Sequence, residues 1–138
     1  MKTNKKKFSP LEEFYNLKNA YPISTGINSE YIIKVIEFAK EDELEHPESD
    51  YWFKIKTEAI FAELSKNLED TIAYIDTCSK KELYFICQVF EELSKHFKSH
   101  KLIDCIERNI TRFDDSELQQ QLRTELEYMK TYIKKNIN

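Results

Sequence analysis

The chain has 138 residues, a length that suits one domain closing a single core without disulfide or metal. One glycine and three prolines leave almost no residues for hairpin turns, bulges or positive-φ loops, which excludes a strand-rich fold; 33% charged and 13% aromatic residues exclude the aromatic-poor composition of disorder. A formal charge of −4 with a pI near 5.5 disfavours a general nucleic-acid binder, which needs Lys and Arg against phosphate, and points to a basic partner.

Lys2, Lys5, Lys6 and Lys7 open the chain, but Phe8-Ser9-Pro10 follows where a signal peptide would carry its apolar run. Residues 1–8 are expected to be a disordered basic tail on a single helical domain spanning 1–138. No apolar stretch has the length of a membrane span, and three cysteines, an odd number at no metal-ligand spacing, fit a reducing cytoplasm, no cofactor and no membrane partner.

Ser9-Pro10-Leu11-Glu12 supplies an N-cap, a proline at the first helical position and a capping-box glutamate, so a short helix is expected to run to about Ala20, where Tyr21-Pro22 ends it. Thr25-Gly26 reads as a turn. Asn28 or Ser29 then caps a second helix with Ile32, Val35, Ile36 and Ala39 on one face. The stretch 41–50 holds Glu41, Asp42, Glu43, Glu45, Glu48 and Asp50 with Pro47 and no basic residue, and is expected to be an acidic loop.

From Tyr51 a third helix is expected to reach Lys66, with Trp52, Ile55, Ala59 and Ala62 on one stripe and Phe53, Ile60 and Leu64 on another. Asn67 precedes Glu69 and Asp70, acids suited to a helix start, and Leu68, Ile72 and Ile75 give the face of a fourth, short helix ending near Cys78. Ser79-Lys80-Lys81-Glu82 is a second capping box. Behind it Leu83, Ile86, Phe90, Leu93 and Phe97 repeat at three and four, while Tyr84, Gln88, Glu91 and Lys95 form the wet side. Phe85 and Val89 lie off the stripe, so the helix from Lys80 to Phe97 is expected to be central.

Ser99 caps the next helix, with Ile103, Ile106, Ile110 and Phe113 inward, and Asp114-Asp115-Ser116-Glu117 opens the last, with Leu118, Leu122, Leu126, Met129 and Ile133 inward. The expected fold is all-α: about seven helices packed as antiparallel αα-hairpins, a short helical solenoid in outline, with no fixed-period sequence repeat.

Catalytic constellations are weak. His96 and His100 stand four apart, but Ser99 interrupts their helix; Glu43-x-x-His46 is half of a carboxylate di-metal pattern with no second copy. Cys87 sits among apolar residues, and Cys78 and Cys105 lack the basic neighbours of an activated thiol. One glycine cannot build a phosphate-cradling loop. The chain therefore reads as a binder and not an enzyme. The acidic stretch against Tyr51-Trp52-Phe53 fits two readings: a solvated connection before core aromatics, or a carboxylate surface steering a positive partner with Trp52 as a rim anchor. Tyr84, Glu91 and Glu92 are further candidates for partner contact.

The order Leu68-Glu69-Asp70-Thr71-Ile72-Ala73-Tyr74-Ile75-Asp76-Thr77-Cys78-Ser79, then Glu82-Leu83-Tyr84, then Phe90-Glu91-Glu92-Leu93-Ser94, resembles small helical immunity proteins of bacterial polymorphic toxin systems. Taken over the run from Leu68 through Phe113, that resemblance covers about a third of the chain. It implies a cytoplasmic inhibitor of a cognate toxin domain, commonly a nuclease. A nuclease presents a basic cleft to phosphate, which an acidic protein can fill. A helical-repeat adaptor is the alternative reading, and a metal-dependent helical-bundle enzyme a third.

Overall fold

The structure is a computed structural model that describes residues 26–45 and 50–136; the helix expected over Ser9–Ala20 lies outside them. Among the described residues every regular element is helical: α1 Ser29–Glu45, α2 Asp50–Leu64, α3 Leu68–Thr77, α4 Lys80–Ile86, a 3-10 turn Cys87–Val89, α5 Phe90–Phe97, α6 His100–Asn109 and α7 Ser116–Asn136.

Side chains set most of the starts. The Asn28 carboxamide oxygen accepts from the Tyr31 N–H at 3.0 Å, Asn67 from Asp70, Ser99 from Lys101 and Asp115 from Leu118 at 3.0 Å, each satisfying an amide that lacks an intrahelical partner. Ser79 and Glu82 form the full reciprocal box. Glu82 is itself buried, and its other oxygen accepts from the Tyr74 hydroxyl at 2.5 Å, tying the start of α4 to α3.

Two expectations need correction. The acidic stretch is not a loop throughout: α1 continues through Glu41, Asp42, Glu43 and Glu45, and α2 begins at Asp50. No proline stands between Ser29 and Pro47, and Glu, Lys and Leu propagate a helix well, so local propensity outweighs the repulsion among the acids. The helix expected over 80–97 is also divided. Cys87–Val89 tightens to 3-10 geometry, with the Phe90 N–H bonding the Cys87 carbonyl and Val89 at φ −109, ψ 8. Phe85, Ile86, Cys87, Val89 and Phe90 are all buried, more of the circumference than one regular apolar stripe covers. The tight turn lets α4 pack on α1, the turn on α2 and α7, and α5 on α7. The segment is still the centre of the core, with Leu83, Ile86, Phe90 and Leu93 at 0% exposure.

Long-range contacts define the stack. Asn28 N–H bonds the Glu63 carboxylate at 2.8 Å and Lys66 reaches the Gly26 carbonyl, so α1 and α2 run antiparallel. Glu107 pairs with Lys130, while Ile103 and Asp104 lie near Ile133 and Lys134, giving the same relation for α6 and α7. Alternate helices instead run parallel: Ile72 meets Cys105, Asp76 meets Arg108 and Asn109, and Cys78 meets Arg112, separations of 32 to 34 residues. Ser65 meets His96 at a separation of 31, and Lys80 pairs with Asp115. The described chain is thus a stack of αα-hairpins with a geometric period of about 33 residues, in the range of helical solenoid repeats. One layer holds α3 and α6; the other holds α2, α4–α5 and α7. Main neighbours of α6 are α3 and α7, with a smaller contact to α5.

Candidate functional site

The layer of α2, α4–α5 and α7 carries the charged groups that stand out. Glu91 and Glu92 occupy the first turn of α5, where the helix dipole favours acid, and both lie 3.8 Å from Lys95 one turn on. Such exposed pairs contribute little to stability. Across the seam, burial first and then the Glu91 charge hold the Glu125 carboxyl above its usual range, with Gln121 donating to it at 3.3 Å. Tyr84 and Tyr128, 49% and 54% exposed, present large rings to solvent on the same layer. Such rings carry much of the energy at protein interfaces.

Between α2 and α5 lies an open groove of about 630 Å³ lined by Thr57, Glu58, Phe61, Gln88, Val89, Glu92, Lys95 and His96. His96 Nε2 is 2.9 Å from the Ser65 carbonyl, and its ring meets Phe61 edge-on with centroids 5.8 Å apart. Between α2 and α4, buried Lys56 sets its ammonium 4.9 Å from the Phe85 ring centroid.

The expected site residues fall into two groups. Glu41, Asp42, Glu43 and Glu45 ride on the C-terminal end of α1, Asp50 and Trp52 on the first turn of α2, and Glu48 lies outside the described residues. Tyr84, Glu91 and Glu92 sit together on the α4–α5 segment. Glu58, Phe61, Glu125 and Tyr128 join that surface without having been singled out in the sequence. Glu58 and Glu125 look like ordinary wet-face acids, and only the hairpin register brings them beside Glu92 and Glu91.

All three cysteines are buried. Burial, as the largest cause in each case, pushes the Cys78 thiol up to about 11 and those of Cys87 and Cys105 up to about 12, so thiolate is scarce at neutral pH. Lys98 in left-handed geometry at φ 49 and Ser99 as N-cap put His96 and His100 on separate helices. Among the described residues no three His, Cys, Asp or Glu side chains converge as metal ligands, and no helix is long and apolar enough to cross a membrane. No protein family, curated protein or solved structure matches the chain.

Proposed function

We propose that this chain is an immunity protein that binds and neutralises a basic bacterial toxin domain, a nuclease in the simplest case, through acidic residues. The carrying observation is the end of α1. Four of its last five residues are acids, and its last turn has no basic residue. That end is the negative pole of the helix dipole, where each carboxylate costs about 0.3–1 kcal/mol instead of gaining it. A concentration of carboxylate at that pole suits a positively charged partner. Glu91 and Glu92 add a second acidic surface, and the resemblance of residues 68–113 to immunity proteins supplies the role.

Co-expression with the product of the adjacent gene tests the reading. The wild-type chain is expected to restore growth, and Glu43→Lys/Glu45→Lys to weaken rescue at unchanged melting temperature. A wild-type chain that gives no protection contradicts the role. Unchanged protection by that variant and by Glu91→Lys/Glu92→Lys contradicts the charge mechanism.

One observation favours a second reading, a helical-repeat adaptor: stacked hairpins with a period of about 33 residues are a common scaffold for protein ligands. An adaptor would bind its partner without changing that partner's toxicity.

A further inference from the structure

We propose that the groove between α2 and α5 accepts an arginine-bearing segment of a basic protein, with the arginine on Phe61 and Val89 and its N–H groups on Glu58 and Glu92. The inference rests on the reading of this chain as the binder of a basic protein and names the chemistry by which that partner docks.

The volume of about 630 Å³ is in the range of sites that take up a large organic group. Its floor is apolar and fixed: Val89 is buried, and the Phe61 ring is braced by His96, itself tied to the Ser65 carbonyl. Its walls carry acids with capacity to spare. Glu58 is exposed and makes no ion pair with any described residue, while Glu92 shares Lys95 with Glu91 at 3.8 Å, the outer edge of ion pairing. The groove's lysine is thus already divided between two carboxylates. An aromatic platform rimmed by carboxylate matches a guanidinium, which is planar, weakly hydrated, able to stack on a ring and able to donate in its plane. The compact ammonium of lysine, more strongly hydrated and without a planar face to stack, matches the two surfaces less well. Within this chain Arg108 and Arg112 are engaged between α3 and α6, which leaves exposed Arg123 as the arginine a second copy would offer.

The test is a titration of the isotope-labelled full chain, followed by backbone amide shifts. The probe is a short acetylated, amidated peptide alternating arginine and leucine, beside lysine and citrulline counterparts. The arginine peptide is expected to shift the Phe61, Val89 and Glu92 amides saturably. Binding should weaken about tenfold for either counterpart and for Glu58→Gln/Glu92→Gln, the scale of one lost charge-assisted hydrogen bond. Glu127→Gln, on the exposed face of α7, should change nothing. Absent saturation, shifts elsewhere, or equal binding of the citrulline peptide overturns the proposal. Groove amides that move on dilution of the protein alone overturn it in favour of a second copy. Peptide binding at the groove without protection of cells would remove the toxin reading and leave the groove; protection without peptide binding would remove the groove and leave the reading.

Discussion

The α3–α6 seam and the α5–α7 seam share a parallel register but are held by different chemistry. Between α3 and α6 the contacts are polar: Arg108 grips Asp76 through two N–H groups at 3.1 and 2.7 Å, and Asn109 donates to Asp76 and to the Cys105 carbonyl. Arg112 donates to the Ile75 and Cys78 carbonyls at the end of α3 and to Asn109. Between α5 and α7 the seam is apolar, with Phe90, Leu93, Leu122, Leu126 and Met129 in the core. The difference teaches a division of labour. Apolar area supplies stability but tolerates sliding, whereas a directional network with few alternative matches sets which residue of α6 meets which residue of α3.

The largest effect expected from breaking either seam is at Phe90. Phe90→Ala leaves a cavity at the centre and should cost about 3–5 kcal/mol in denaturant unfolding. Arg112→Ala removes the donors from the end of α3 and should cost about 1.5–3 kcal/mol; a loss confined to α3–α6 amide exchange would show that the clasp acts locally. Acid distinguishes the seams further. The Asp76 carboxyl lies below its usual 3.8, chiefly through the Arg108 hydrogen bonds, so its stabilisation is present above that value and lost as pH falls through the lower folded-state pKa. Asp76→Asn should therefore be less stable than wild type at neutral pH and lose less stability on going from about pH 5 to about pH 2. Parallel pH profiles would contradict that assignment. The smallest effect is expected at Glu92: Glu92→Ala should change stability by under about 1 kcal/mol, since its contact with Lys95 is long and exposed.

Local signals were legible because they act over three or four residues. Asn67, Ser79 with Glu82, and Ser99 each start a helix as their side-chain chemistry requires, and Leu118, Leu122, Leu126, Met129 and Ile133 are buried as their spacing implies. The break at Cys87–Val89 was not legible, because neither glycine nor proline marks it; it arises from packing on three neighbours. The repeat was hidden for a related reason. One turn of the stack uses Asp76 with Arg108 and another the Ser65 carbonyl with His96, so equal geometry is met by unlike residues. The candidate surface was half legible: Tyr84 and Glu91 stood on the wet face in the sequence with Glu92 beside them, whereas Glu58, Phe61 and Glu125 required the register of the hairpins.

The most direct test of charge-guided binding is the association rate with the adjacent gene's product, measured against salt for the wild-type chain and for Glu43→Lys/Glu45→Lys. Steering by carboxylates acts mainly on encounter. The wild-type rate should fall steeply as salt rises, and the variant's should be slower and flatter with little change in dissociation. Equal rates and equal salt slopes for the two proteins would contradict the account.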